Sequence, residues 1–160
     1  MDLRLRPPEA LSPGHKIGDF GCGEPQLDDW LRRRALANQL SGGSRSFVVT
    51  DGGGQVFGYY ALAAGAVSHR EATGPVRRNM PEPIPVMVLA RLAVDRRAQG
   101  MRLGPALLQD AFERCVAVSR NTGVRAILVH ALHHRARQFY EHYGFQVSPL
   151  HPLTLMMRLR

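Results

Sequence analysis

The spacing of apolar positions along this chain changes period several times, and the changes mark out a mixed α/β chain. Val86 to Val94 are nine mostly apolar residues without polar alternation, the pattern of a strand buried on both faces. The run stops at Asp95, crosses a short polar stretch holding Gly100 and Gly104, and passes into helical spacing. Leu107, Leu108, Ala111, Phe112, Cys115 and Val116 share one side of a helix from Gly104 to about Asn121, which Gly123 closes. Val124 to Ala131 repeats the pattern of a buried strand.

The flanking segments are shorter. Leu3 and Leu5 predict an extended edge strand ended by Pro7 and Pro8. Pro25 opens a helix to about Leu40, with Leu27, Trp30, Leu31 and Leu36 on its apolar side and Ser41-Gly42-Gly43 as its stop. Ser44 to Thr50 and Gln55 to Ala64 read as two strands around Asp51-Gly52-Gly53-Gly54, a hairpin. Residues 68–83 read as a loop with a helical turn. Arg135 to Tyr143 reads as a short helix stopped by Gly144, and Leu153 to Leu159 as a last strand. The order is an α/β sandwich with a mixed sheet. Parallel strands joined by one helix place ligands beyond their carboxyl ends, where the glycine loop falls. A loop entering a helix leaves main-chain N–H groups without acceptors, beside the positive end of the helix dipole. That combination suits a phosphate.

A chain of 160 residues with 44% apolar content fits one domain that buries roughly 70% of its unfolded surface. No apolar run approaches the ~20 residues a membrane span needs, and the start MDLRLRPPEALSP lacks the apolar centre of a secretion signal. Cys22 and Cys115 make no disulfide framework, so a cytoplasmic setting is expected. The net charge is +8, and all of it lies after residue 40, because the first forty residues hold six basic and six acidic side chains. All but one of the 21 basic residues are arginines, the exception being Lys16. A polyanionic partner and plain compositional bias both account for this charge.

The usual nucleotide motifs are absent. Gly100 and Gly104 stand one residue too close for GxxxxGK[ST], no lysine follows them, and the three glycines of a dinucleotide fingerprint are missing. Gln99-Gly100-Met101-Arg102-Leu103-Gly104 instead resembles the acyl-CoA signature Q/R-x-x-G-x-G/A of the GNAT-superfamily acetyltransferases. Gln99 and Gly104 match its ends, and Arg102 stands where its middle glycine usually is. Phe139-Tyr140-Glu141-His142-Tyr143-Gly144-Phe145 resembles the FYxxxGF segment of the same superfamily. Phe20, Cys22-Gly23, Leu27 and Trp30-Leu31, with Ile84-Pro85-Val86, Arg77-Arg78-Asn79-Met80-Pro81 and Ser148-Pro149, extend the likeness to GNAT toxins that acetylate tRNA.

The resemblance implies an α/β (α+β) fold over residues 1–160. Its sheet would be mixed and mostly antiparallel, flanked by helices, with a splayed parallel strand pair. It implies acetyl-CoA held by Leu92, Ala93, Val94, Gln99, Gly100, Met101, Arg102, Leu103 and Gly104, with Tyr140 giving a proton to the departing thiolate. It implies that Arg77, Arg78 and Arg91 contact an aminoacyl-tRNA, whose α-amine takes the acetyl group, so that translation stops. A homodimer and a small cognate antitoxin follow from the same likeness, with operator DNA reached only through the antitoxin complex. No metal is expected, since neither HExxH nor a Cys/His spacing is present. An acetyltransferase of protein or small-molecule amines shares every CoA residue, and a non-catalytic acyl-CoA or nucleic-acid binding module is the reading from another class.

Overall fold

The computed structural model describes residues 3–160. Pro25 begins α1 (Pro25–Trp30), where its missing N–H would have had no helical acceptor in any case. The helix runs through a π-helical turn (Leu31–Ala35) into α2 (Leu36–Ser41), and Gly42 ends it at φ 82°. β2 (Arg45–Thr50) and β3 (Val56–Val67) form the expected hairpin, paired from Arg45↔Leu62 to Thr50↔Val56. The outer strand is not where Leu3 and Leu5 predict it. β1 is Glu9–Ala10, after the two prolines, pairing Glu9 with Val48 and Ala10 with Phe47. Pro7 and Pro8 have no N–H to give a ladder, so regular pairing starts only beyond them.

Residues 68–83 contain one four-residue helix, α3 (Gly74–Arg77), and then the chain enters β4 (Ile84–Val94). A single 3₁₀ turn (Arg96–Ala98) leads to α4 (Leu103–Ser119), followed by β5 (Ala126–His130), α5 (His134–His142), β6 (Gln146–Val147) and β7 (Thr154–Arg158). The seven strands are ordered β1-β2-β3-β4-β5-β7-β6. β4 and β5 are parallel from Val86↔Ala126 to Leu89↔Val129, while β5–β7 and β6–β7 are antiparallel. The pairing of β4 with β5 stops at Leu89, so the rest of β4, including Leu92 to Val94, lies outside that ladder. β4 itself is not buried on both faces: Val86, Leu89 and Ala93 are buried, but most of the residues between them are half-exposed. The half-exposed positions other than Arg91 are apolar as well, and that makes a one-sided strand read as two-sided.

Contacts group the chain into two compact units. The first runs to Ala63 and resumes at Arg91–Ala111; the second is Ala64–Ala90 with Phe112–Arg160. In the first, Leu11, Phe20, Leu27, Leu31, Ala35, Val48, Val56, Tyr59 and Ala93 form the core. Tyr59 is its hub: the phenol donates to the Leu27 carbonyl at 2.6 Å, and the ring meets Phe20 edge-on and Trp30 in a stack. In the second, Val67, Ala72, Val76, Ile84, Val86, Ala126, Leu128 and Met156 pack together.

Candidate active site

In the first unit, the end of β4, the glycine loop and the start of α4 make one continuous piece anchored by Asp95. This carboxylate is only 2% exposed. It accepts from the Gly21 N–H at 2.9 Å, the Arg97 N–H at 2.8 Å, and the Arg97 guanidinium at 2.8 and 3.0 Å. Burial alone would raise its pKa, but the hydrogen bonds from Arg97 and Gly21 outweigh burial and hold it below the usual carboxylate value. The Asp95 N–H donates to the Phe57 carbonyl at 2.8 Å, and the Arg97 guanidinium lies 4.6 Å above the Phe57 ring. Arg97 therefore fastens the loop.

Gln99 fastens it a second time. Its side-chain amide donates to the carbonyls of Cys22 and Val94, both at 3.0 Å. Beyond it the backbone turns left-handed twice, at Gly100 (φ 84°) and at Arg102 (φ 62°), with Met101 exposed between them. An L-residue in that region costs roughly 1 kcal/mol, which gives a physical reason for the glycine usually found at the position of Arg102. α4 starts at Leu103. The N–H groups of Leu103 and Gly104 thus have no acceptor inside the helix, and Pro105 has no N–H at all. Leu103 is buried and sets the height of this helix start over β3. A Cβ on Gly58 would stand 2.9 Å from one Leu103 methyl and 3.1 Å from a Leu107 methyl. Leu92, Ala93 and Val94 precede the loop directly, Ala93 buried and its neighbours half-buried. The nine expected cofactor residues therefore form one stretch of a single unit. Arg91 is half-buried, with its guanidinium 4.9 Å from the centre of the Trp30 ring.

In the second unit, His133 caps α5, its Nδ1 accepting from the Ala136 N–H at 3.1 Å. The helix places Tyr140 in an aromatic setting, with Phe139 5.1 Å and Phe145 5.5 Å from its ring centre. Tyr140 is buried, and burial raises its phenol above the ordinary tyrosine value. It holds its proton throughout the neutral range and can give it only to a base placed against it. Arg77 and Arg78 are exposed on the turn that α3 begins.

The two thiols are unsuited to nucleophilic attack. Burial, aided by Asp28, pushes Cys22 up to about 12, and burial alone pushes Cys115 up to about 12. Among the described residues no group of three His, Cys, Asp or Glu side chains is placed to hold a metal ion, and no helix is long and apolar enough to cross a membrane. Asp95, Gly58 and the inward turn of Gln99 were not foreseen from sequence. Asp95 was visible only as the polar residue that ends the strand.

Residues 42–147 match the acetyltransferase (GNAT) domain family. The chain is 55% identical over 153 residues to a tRNA-acetylating toxin of Mycobacterium tuberculosis, covering 96% of this chain and 92% of that protein. Among solved structures it is similar to AtaT complexed with acetyl-methionyl-tRNAfMet, with TM-score 0.89 and 25% identity over 97% of this chain and 95% of that one. It is similar also to a tyrosine-to-phenylalanine mutant of the toxin AtaT bound to the C-terminus of the antitoxin AtaR and acetyl-CoA, with TM-score 0.81 and 25% identity over 98% and 94% of the two chains.

Proposed function

Because this chain belongs to the GNAT acetyltransferase family, we propose that it is a toxin that moves the acetyl group of acetyl-CoA onto the α-amine of an aminoacyl-tRNA. The 55% identity to the mycobacterial tRNA-acetylating toxin, running over nearly the whole chain, carries the assignment. The residues present fit the cofactor. A loop with two left-handed residues, opening on a seventeen-residue helix, offers main-chain N–H groups and a helix dipole to a diphosphate. Bound there, acetyl-CoA supplies an activated acyl group.

The rest falls to the protein's own groups. Main-chain groups of Leu92 to Val94 align the pantetheine arm, and Gln99 to Gly104 hold the phosphates. The ester of an aminoacyl-tRNA withdraws electrons, so its amine is less basic than a free α-amine of pKa near 7.7 and is largely neutral without an enzymic base. The amine forms the C–N bond as the C–S bond breaks, and sheds its extra proton to water. Tyr140 protonates the departing sulfur and recovers its proton from solvent. Arg77 and Arg78 bind the tRNA backbone, and Arg91, fixed on Trp30, adds a positioned charge. An N-acetylated aminoacyl end cannot accept a growing peptide, so elongation stops.

The family match runs through both compact units, which supports one catalytic domain. We place the protein in the cytoplasm as a homodimer, restrained by a small antitoxin through which alone it reaches operator DNA. The antitoxin bound to the similar AtaT supports that partner class.

The test is to incubate the purified protein with radiolabelled acetyl-CoA and, in separate reactions, bulk aminoacyl-tRNA, proteins, or free amines. Label should enter the tRNA fraction alone and leave it when the ester is hydrolysed by mild alkali. Tyr140→Phe should lower kcat by about 10²-fold or more at unchanged acetyl-CoA affinity. The alkaline limb of the wild-type rate profile should lie above pH ~10, because the phenol's pKa is raised. Label in proteins or free amines but not in tRNA would reject the substrate. An undiminished Tyr140→Phe would reject the proton donor.

A further inference from the structure

The exposed pair Arg77–Arg78 stands on a four-residue helix, too short to be stable by its own hydrogen bonds. Each carbonyl from Thr73 to Arg78 has a hydrogen-bond partner. The Thr73 carbonyl takes the Arg77 N–H at 3.0 Å, that of Gly74 takes the Arg78 N–H at 3.1 Å, and that of Arg77 takes the Met80 N–H at 3.2 Å. Three carbonyls remain, those of Pro75, Val76 and Arg78. All three are taken by one side chain from the residue just before β5, forty-seven to fifty residues away in sequence. Arg125 donates from Nε to Val76 at 3.1 Å, and from Nη2 to Pro75 and to Arg78 at 3.0 Å each.

Arg125 is itself held on both sides, since its N–H donates to the Pro85 carbonyl at 2.8 Å and its carbonyl accepts from Leu159 at 3.1 Å. Its neighbour Ala126 is in register with Val86 and Arg158 in the sheet. The backbone of Arg125 is therefore fixed beside the sheet, and its planar guanidinium is suited to collecting several carbonyls at fixed angles.

We propose that Arg125 is a positioning residue for the tRNA substrate. It folds the 73–78 turn and thereby fixes where the Arg77 and Arg78 side chains stand, without touching the substrate itself. The proposal rests on the reading of Arg77 and Arg78 as tRNA contacts.

The experiment compares Arg125→Met, Arg125→Lys and the double variant Arg77→Ala/Arg78→Ala with the wild type, using labelled acetyl-CoA and bulk bacterial tRNA aminoacylated in vitro. KM for tRNA, kcat, acetyl-CoA affinity by calorimetry and hydrogen exchange of the Arg77, Arg78 and Met80 amides are measured on each. For Arg125→Met we expect a KM for tRNA raised about tenfold, with kcat and acetyl-CoA affinity within about twofold and turn amides exchanging at least tenfold faster. Arg125→Lys should fall between, because an ammonium cannot span three carbonyls at those angles. The double arginine variant should raise KM while its turn stays protected. Should Arg125→Met fail to fold, Pro75→Gly loosens the same turn without altering the fork, and it should raise KM in the same direction by a smaller factor. Unchanged turn exchange in Arg125→Met, or a loosened turn with an unchanged KM, overturns the proposal while leaving Arg77 and Arg78 as contacts. An unchanged KM in the double arginine variant removes those contacts and the proposal with them.

Discussion

In the 95–104 loop Asp95, Arg97 and Gln99 bond back to the protein and the main chain enters a helix start, whereas in the 73–80 turn the main-chain carbonyls are tied off and the arginine side chains stand exposed. Asp95, Arg97 and Gln99 all bond within the protein, and what remains is a row of N–H groups leading into α4. In the turn, Arg125 and local N–H groups occupy the carbonyls, Arg77 and Arg78 are exposed, and Arg77 Nη1 also reaches back to the carbonyls of His69 and Ala72 at 3.4 Å. The difference matches the ligands proposed for the two places. A diphosphate is compact and its oxygens point in known directions, so fixed amides suit it. A tRNA backbone is extended and its phosphates are spaced widely, so long guanidinium arms suit it.

The contrast predicts unequal damage. The largest effect is expected from Asp95→Ala, which strands the Arg97 guanidinium and frees Gly21, and should cost about 2–4 kcal/mol in urea unfolding. The sign with pH follows from the lowered pKa of this carboxyl in the folded protein. Its stabilisation is complete above the unfolded value near 3.9 and is lost as pH falls through the lower folded value, so the acid loss of stability should be shallower in Asp95→Ala. Gly58→Ala comes next. The added methyl meets the Leu103 and Leu107 side chains, which must shift and disturb the helix start, at about 1–3 kcal/mol, with acetyl-CoA affinity falling while tRNA affinity holds.

Smaller effects sharpen the same contrast. Gln99→Ala removes two hydrogen bonds to the main chain and should cost about 1 kcal/mol, read as a lower melting temperature and weaker acetyl-CoA binding in calorimetry. Arg102→Gly should change least. Relief of the left-handed backbone, worth roughly 1 kcal/mol, is offset in part by the freedom glycine gains when unfolded, leaving a net gain of about 0.5 kcal/mol. A loss of stability there would show that the Arg102 side chain holds the loop.

What sequence revealed and what it hid divide along the same physical line. The β4–loop–α4 run, the hairpin closing at Thr50↔Val56 and the helix of Tyr140 are legible because each rests on periodicity or glycine chemistry within about twenty residues. β1 and β6 are two residues each and are made by pairing alone, so no side-chain pattern announces them. β3 runs on to Val67 through Gly65 and Ala66, whose small side chains carry no strand signal; a Cβ on Gly65 would lie 2.7 Å from a Val88 methyl, so close approach explains the glycine. Gln99 was legible as a signature residue, but its inward bonds to Cys22 and Val94 were not. Arg125 gave no signal at all, since a side chain meeting carbonyls some fifty residues back leaves no mark on spacing.

Mass spectrometry of amino acids released from tRNA, after a brief pulse of expression in a bacterial host, tests the central claim most directly. One or a few N-acetyl amino acids should be released from the pool with the wild-type protein and be missing with Tyr140→Phe. An aminoacyl-tRNA pool free of N-acetyl groups while the wild-type protein halts growth would contradict the claim.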